Sequence, residues 1–350
     1  MEKLYRIEKD FLGEKRIELN KYYGIQTLRA KENFNITKTD ISLFPNFIKS
    51  LAKVKKACAL TNFELGDLTD IQKDAIVQAC NEIIDGKFHD QFIVDPIQGG
   101  AGTSTNMNAN EVIANRALEI LGHPKSSYNI IHPNNHINMS QSTNDVYPTA
   151  IKLTLHELIY KLKDALRFLR DCFEEKAIEF KDVLKMGRTQ LQDAVPMTLG
   201  QEFKTFAVMI DDDIYRLRNV QALLKEINLG ATAIGTGINT KASYQRKVIS
   251  NLREVTGVDY VSAGDLIEAT QDTGSFVHIS GMLKSVAIKI SKICNDLRLL
   301  SSGPRAGFNE INLPPMQPGS SIMPGKVNPV IPEVVNQVAF EVIGADMTIS

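Results

Sequence analysis

The sequence predicts a mainly α-helical protein, in which a bundle of long helices follows a small mixed N-terminal domain. Apolar residues recur at alternating steps of three and four over segments of about 25 residues, which is the spacing of a buried helical stripe. Alternation with a period of two is rare. We therefore expect strands to be minor and confined to the first forty residues.

Three long helices are indicated by such apolar seams. The seams comprise Leu155, Leu158, Leu162, Leu166, Leu169 and Phe173; Phe203, Phe206, Ile210, Ile214, Leu217, Leu224 and Ile227; and Phe276, Ile279, Leu283, Val286, Ile290, Ile293, Leu297 and Leu300. We expect the first helix to end at residues 187–190, where a glycine interrupts the pattern. A helix of this length spans roughly 40 Å. Helices so long suggest a bundle whose seams also form subunit contacts.

We divide the chain into an N-terminal domain of residues 1–140 and a central long-helix bundle of residues 141–350. Clusters of helix-breaking residues, at 98–105, 230–237 and 314–326, separate the predicted helices. The last stretch, 333–350, is predicted to be a helix without a stop signal. We therefore expect the natural protein to continue, and a C-terminal domain to be absent from this chain.

Composition and charge indicate a soluble, cytoplasmic protein. A net charge of −1 over 350 residues gives no electrostatic footprint for nucleic acid or for an anionic membrane. The charged N-terminus lacks the apolar core of a signal peptide, and no run is apolar enough to span a bilayer. Cys58, Cys80, Cys172 and Cys294 are far apart and form no C-x-x-C pair. We expect them to be reduced, buried thiols.

The segment of residues 319–329 is the most informative loop. It places Ser320, Ser321, Lys326 and Asn328 among glycines and prolines, which can form a strained or mobile loop. A serine is a poor base unless cations and backbone N–H groups lower its proton affinity. Lys326 and the glycine-rich backbone could supply both. The alternative is a plain connection between helices, but loops this rich in functional groups more often carry sites.

Two further polar segments lie at residues 102–108 and 140–145. Their Ser, Thr, Asn and Asp residues are those that cap helices, and taken alone each segment is better explained as a cap. Hydroxyls and amides are also what a buried dicarboxylate needs, because they donate hydrogen bonds at a low desolvation cost. His132 and His136 invite a metal interpretation. Pro133 breaks the helical spacing and no carboxylate is near, so we predict no metal site.

Four segments together resemble the aspartase/fumarase superfamily, and the resemblance covers essentially the whole chain. They are residues 22–29, 132–148, 185–196 and 319–328, of which the last is the most specific. The resemblance implies the superfamily's long-helix bundle, a homotetramer, and active sites that each draw on three subunits. It also implies L-aspartate and fumarate as substrate and product.

Position 190 separates the branches of the superfamily. Class II fumarases usually have a histidine where this chain has Gln190, and glutamine cannot shuttle a proton. Thr143 also resembles the ammonia-lyases, since fumarases tend to have serine there. The resemblance thus favours an ammonia-lyase. The rival hypotheses are a fumarate hydratase and a non-catalytic helical scaffold.

The resemblance also implies a role for each site residue. Ser320 is expected to be the base that removes a proton beside one carboxylate, which then becomes an aci-carboxylate. That carboxylate is expected to be held by hydroxyls, those of Thr103, Ser142, Thr143 and Ser321. The other carboxylate is expected to be held by Thr189, Lys326 and Asn328, with Asn144 and Gln190 near the amino group. This chemistry requires no cofactor, although a divalent cation such as Mg²⁺ could act as an activator.

Overall fold

The structure, a computed structural model, describes residues 4–350. Along the chain, the strands and helices of four residues or more, together with two short strands, are β1 (Tyr5–Asp10), β2 (Gly13–Glu18), α1 (Ile25–Asn33), α2 (Pro45–Glu64), α3 (Asp70–Ile84), α4 (Thr103–Ile120), α5 (Thr143–Glu179), β3 (Leu184–Thr189), β4 (Gln192–Thr198), α6 (Leu199–Leu223), β5 (Glu226–Ile227), α7 (Tyr244–Thr256), β6 (Val261–Ser262), α8 (Leu266–Gln271), α9 (Gly274–Leu300) and α10 (Val330–Ile349). A π-helical turn, Pro133–Ile137, precedes α5.

These elements form two compact units. The first consists of the chain up to Glu157 together with Leu224–Asp272, and the second of Leu158–Leu223 together with Thr273–Ser350. The strands pair only locally: β1 with β2 and β3 with β4 are antiparallel hairpins, and β5 pairs with β6 in parallel. The helices therefore provide the framework of both units.

The first unit has a continuous apolar core to which α2, α3, α4 and α7 contribute. Helix α2 turns Ile48, Leu51 and Val54 inward at helical spacing, and all three are fully buried. Helix α3 begins with a capping box, in which Thr69 and Gln72 satisfy each other's backbone N–H groups. This core holds the starts of α4 and α5, where the predicted site residues of the unit lie.

Two buried carboxylates hold the start of α1. Glu111 accepts the backbone N–H groups of Gly24 and Thr27 at 2.7 and 3.1 Å, and the Thr27 hydroxyl at 2.6 Å. Glu8 accepts the N–H of Ile25 at 2.8 Å. Burial, and after it the charge of Glu8, raises the pKa of Glu111 to about 7. Acceptors in this position satisfy helix N–H groups that have no partner within the helix.

In the second unit, α9 packs along α10 and against α6. An aromatic cluster joins α5 to α6: the ring centroid of Phe173 lies 6.2 Å from that of Phe203 and 5.6 Å from that of Phe206. Asp213 is fully buried on α6, and Lys289 of α9 contacts its Oδ1 at 2.5 Å. A buried charge of this kind requires such a partner.

The predicted fold class is confirmed, and the three apolar seams lie on α5, α6 and α9, apart from the last two residues of the second seam. The final segment is also helical, as α10. The predicted strands of the N-terminal region are β1 and β2. None of the helices within residues 4–350 combines the length and apolarity that crossing a bilayer requires.

The prediction that strands are confined to the first forty residues is wrong. Helix α5 ends at Glu179 and not at residues 187–190, which instead lie in and beside the hairpin of β3 and β4. Gln190 and Leu191 form its two-residue turn, both in the left-handed region with φ of 52° and 64°. Such turns are recognised in sequences by Asn-Gly or Asp-Gly pairs, and this turn has neither.

The second predicted seam, which runs from Phe203 to Ile227, extends beyond its helix. Helix α6 ends at Leu223, whereas Leu224 and Ile227 are buried within the first unit. Leu224–Asp272 packs with the N-terminal part of the chain, and the division into domains of residues 1–140 and 141–350 stays a prediction. All four cysteines are free, and Cys172 is half-buried whereas the other three are buried.

Candidate active site

The first group of predicted site residues lies where α4 and α5 begin. Thr103 is the first residue of α4, and residues 142–144 lead into α5. A side-chain carbon at Gly102 would lie 2.5 Å from the ring of Tyr147 on α5, so the start of α4 rests directly against α5. The φ of 92° at Gly102 also favours glycine. These residues therefore occupy one region of the first unit.

Hydrogen bonds to neighbouring protein groups determine which atoms of this group can donate to a ligand and which can accept from it. Thr143 Oγ1 accepts from Asn106 Nδ2 at 3.2 Å, and Ser142 Oγ accepts from the N–H of Asn144 at 3.2 Å. Because both hydroxyls act as acceptors here, their protons remain to be donated. Asn144 Nδ2 donates to Ala233 O at 2.8 Å, which leaves its carboxamide oxygen as an acceptor. The group can thus donate to a carboxylate and accept from an ammonium.

Thr103 differs from the other hydroxyls. Its Oγ1 donates to the carbonyl oxygen of Gly100 at 2.7 Å, and the residue is exposed. Its proton would have to leave this bond before Thr103 could donate to a ligand.

Asp145 anchors the segment that carries residues 142–144. Its fully buried carboxylate accepts the N–H of Ser142 at 2.9 Å, that of Gly230 at 3.0 Å and that of Thr232 at 3.1 Å. Burial raises the pKa of Asp145 to about 6, against the lowering effect of these three bonds. The glycine-rich stretch 230–237, whose sequence loosely resembles a dinucleotide loop, thus supports the start of α5 in this structure.

The second group, Thr189 and Gln190, lies at the exposed tip of the β3–β4 hairpin. The base of this tip is held by Arg188, whose guanidinium forms an ion pair with Glu310 and lies 4.2 Å from the ring centroid of Phe308. Lys185 contacts Glu310 at 3.1 Å. This pairing lowers the pKa of Glu310 in spite of its partial burial. The hairpin is therefore tied to the segment that follows α9.

The third group lies in the loop before α10. Ser320 Oγ accepts the backbone N–H groups of Ile322 and Met323 at 3.3 and 3.1 Å. The loop is closed by Gly319 N–H, which donates to Lys326 O at 2.8 Å, and by Asn328 Nδ2, which donates to Gly319 O at 2.9 Å. A side chain at position 319 would lie 2.7 Å from the backbone nitrogen of Asn328, so this closure requires glycine.

A cavity of about 990 Å³ lies beside this loop and between the ends of α9 and α10. Lys326 and Asn328 line it, together with Arg298 of α9. The cavity is therefore lined by two cations and several carboxamides, which are groups suited to a carboxylate.

The predicted residues form three local groups, one in the first unit and two in the second. Within residues 4–350, no hydrogen bond joins the 189–190 turn to the loop of residues 319–328. His132 caps the Pro133–Ile137 turn, because its Nδ1 accepts backbone N–H groups of that turn. His136 Nδ1 accepts the N–H of His132. No group of three potential metal-binding side chains occurs among the residues that the structure describes.

A family model described as "Lyase" matches residues 13–344, almost the entire chain. The chain belongs to this lyase family. It is 61% identical over 345 residues to an aspartate ammonia-lyase of Helicobacter pylori. The alignment covers 99% of this chain and 74% of that protein.

Two solved structures are also similar to this lyase chain. A fumarate lyase:delta crystallin from Brucella melitensis bound to cobalt is 56% identical with a TM-score of 0.97. A class II fumarase from Schistosoma mansoni is 36% identical with a TM-score of 0.94. Each alignment covers 99% of this chain and 75% of the other.

The sequence analysis did not predict the residues that support the first group. Lys55 and Asn138 are the main examples, and the contact of Asn106 with Thr143 was not foreseen. One signal was present: Lys55 interrupts the apolar face of α2, beside Leu51, Val54 and Cys58. A lysine on an apolar face is a candidate for a buried, paired charge in the lyase.

Proposed function

We propose that this chain is an aspartate ammonia-lyase, which reversibly converts L-aspartate to fumarate and ammonia. The observation that carries the mechanism is the pair of backbone N–H groups donated to Ser320 Oγ. Two such donors stabilise a serine alkoxide, the form in which a serine can act as a base. The names and high identity of the relatives support the same reaction.

In the proposed first step, the Ser320 alkoxide takes a proton from the carbon beside one substrate carboxylate. The C–H electron pair then forms the aci-carboxylate, which carries two negative charges. Donors that strengthen as this charge develops lower the barrier. The hydroxyls of Ser142 and Thr143 are free to donate in this way, and we assign Ser321 and Thr103 to the same carboxylate. Thr103 would first have to release Gly100 O.

In the second step, the aci-carboxylate collapses to form the carbon–carbon double bond. The carbon–nitrogen bond breaks, and nitrogen leaves with its electron pair as ammonia. The free carboxamide oxygen of Asn144 suits an ammonium group, and we assign Gln190 to the same end of the substrate. We assign Thr189, Lys326 and Asn328 to the second carboxylate. Their chemistry supports this role, because a cation and neutral donors bind carboxylates.

We propose that the three groups meet only in a homotetramer, with each site built from three subunits. An apolar stripe on α10 supports subunit contacts: Ile331, Val334 and Val338 share one helical face and are each about half exposed. We place the enzyme in the cytoplasm. We also propose that catalysis requires no cofactor. Titration of the metal-depleted enzyme with Mg²⁺ would measure activation by this cation.

The proposal is tested by following fumarate absorbance with L-aspartate and, separately, with L-malate. Fumarate and ammonia from aspartate alone are expected. Fumarate from malate alone would instead make the protein a fumarate hydratase, the rival at position 190. A folded protein inactive with both substrates would favour a scaffold.

The role of Ser320 is tested by Ser320→Ala. We expect kcat to fall by a factor of at least about a thousand with little change in substrate affinity, since the base acts only in the chemical step. Ser127→Ala is the control, because the Ser127 hydroxyl only forms an exposed hydrogen bond to Pro124 O. Unchanged turnover in Ser320→Ala would remove Ser320 from the role of base.

A further inference from the structure

A fully buried lysine lies behind the first group of site residues. Lys55 Nζ donates to Asn138 Oδ1 at 2.9 Å and to Gln141 Oε1 at 2.8 Å. Burial lowers the pKa of Lys55 to about 8, so at neutral pH the side chain is an ammonium. An ammonium has three donors and no acceptor. Whatever atom faces Lys55 must therefore be an acceptor.

This requirement fixes the orientation of the next two amides. Asn138 must present its oxygen to Lys55, and it donates with Nδ2 to Gln141 O at 3.3 Å. The same Asn138 oxygen is reached by Asn106 at 3.1 Å and by Asn110 at 3.2 Å. Because that oxygen can only accept, both of these side chains must present their NH₂ groups to it.

A hydrogen bond from Asn106 connects these amides to Thr143 in the proposed substrate site. The NH₂ group of Asn106 also donates to Thr143 Oγ1 at 3.2 Å, in a contact that is fully buried. The hydroxyl therefore accepts on its inner side, and its single proton remains for a donor bond elsewhere. Asn110 makes no such contact, since its NH₂ group reaches Asn138 and the sulfur of Met107.

The fixed orientation leaves other polar atoms without partners. Asn106 Oδ1 and Asn110 Oδ1 are both buried, and neither has a hydrogen-bond partner within the described part of the chain. Unsatisfied buried acceptors are costly and uncommon in native proteins. Both atoms lie on α4, and both residues turn their NH₂ groups towards the same Asn138 oxygen.

We propose that Lys55, through Asn138 and Asn106, sets the direction of the Thr143 hydroxyl so that its proton is presented to the substrate carboxylate. Lys55, Asn138 and Asn106 are positioning residues that do not touch substrate. The inference rests on the proposed function, because it assigns the donor that Thr143 offers to the developing aci-carboxylate. Preorganisation of this kind favours the transition state, since the donor need not reorient during the reaction.

The experiment is a double-mutant cycle between Asn106→Asp and Thr143→Val. The carboxylate of Asn106→Asp has nearly the shape of the amide but accepts from the Thr143 hydroxyl, which reverses the hydroxyl's direction. Losing one donor of this type lowers kcat by roughly a hundredfold to a thousandfold. We expect each single variant to lose kcat on that scale, with KM changed much less. In the Asn106→Asp background, Thr143→Val should cost less than about a further threefold.

Asn110→Asp is the matched control. It also introduces a carboxylate beside the Asn138 oxygen, but Asn110 does not contact Thr143. In its background Thr143→Val should retain its full loss in kcat. Equal additivity in both cycles would overturn the proposal, as would an Asn106→Asp variant that folds and keeps full kcat. Lys55→Met is a poorer test, because it leaves two buried acceptors unpaired and endangers folding.

Failure of the proposed function and failure of the contact between Asn106 and Thr143 give different results. If the unaltered protein does not act on aspartate, the proposed function fails, and the cycle is then measured in the free energy of unfolding. Coupling of Asn106→Asp with Thr143→Val, and none of Asn110→Asp with Thr143→Val, would support the contact independently of turnover. Absence of coupling in that measurement would refute the proposal that Asn106 sets the direction of the Thr143 hydroxyl.

Discussion

Gly24 lies between two buried carboxylates, and this position makes it sensitive to one added methyl group. In Gly24→Ala the new carbon would lie 2.7 Å from Glu111 Cδ and 2.7 Å from Glu8 Oε2. Ordinary contacts between heavy atoms are about 3.5 Å or longer. The φ of −116° at Gly24 is open to alanine, so the steric contact is the only obstacle.

The expected loss in the free energy of unfolding follows from the displacement of the Glu8 and Glu111 side chains. Both carboxylates hold backbone N–H groups at the start of α1, and Glu111 accepts that of Gly24 itself at 2.7 Å. Overpacking a buried site costs about 1–3 kcal/mol, and losing a hydrogen bond to a charged group costs about 1.5–3 kcal/mol. We expect Gly24→Ala to lower the free energy of unfolding by about 3 kcal/mol, if one such bond is partly lost.

Urea unfolding followed by circular dichroism at 222 nm would measure this loss, since the chain is mostly helical and lacks tryptophan. Gly264→Ala is the control: a methyl group there meets no atom within 4 Å. We expect the control to change the free energy of unfolding by less than about 0.5 kcal/mol. If Gly24→Ala proved as harmless as Gly264→Ala, the two carboxylates would not be held rigidly at the start of α1.

Three further predictions concern charge and backbone conformation. The folded-state pKa of Glu111, about 7, lies above its ordinary value of 4.5. The stability that this group contributes is therefore present below pH 4.5 and lost as the pH rises to 7, by up to about 3 kcal/mol, and Glu111→Gln should remove this dependence from urea titrations between those pH values. Leu191→Gly should stabilise the protein by about 0.5–1 kcal/mol in urea unfolding, because it relieves the left-handed φ of 64° in an exposed turn. Glu310→Ala should lower kcat/KM for L-aspartate by about tenfold in steady-state assays, because Arg188 then no longer anchors the hairpin tip that carries Thr189.

Each of these expectations has a contrary outcome. An unchanged pH dependence in Glu111→Gln would assign the effect to other groups. A destabilised Leu191→Gly would mean that the leucine side chain contributes more than its conformation costs. Glu179→Ala is the control for Glu310→Ala, since Glu179 forms only an exposed pair with Lys176. Equal kcat/KM values for these two variants would separate the Arg188 ion pair from catalysis.

The amino-acid sequence by itself determined the helical framework. The seams on α5, α6 and α9 are read directly from apolar spacing, because a helix that buries one face must repeat apolar residues every three or four positions. The loop around Ser320 was also evident, since its hydroxyls, lysine and glycines lie within one short segment. The family likewise followed from segments that are contiguous in the chain.

Only the tertiary structure decided how the polar groups are oriented. The hairpin turn at Gln190 and Leu191 carries no sequence signal, because its left-handed conformation is imposed by the pairing of β3 with β4. The contact of Asn106 with Thr143 joins residues 37 positions apart. Helical periodicity reports which face of an element is buried, but a hydrogen bond also depends on which atom each buried group presents to its neighbour. That is decided by packing, since burial removes the water that would otherwise satisfy either orientation.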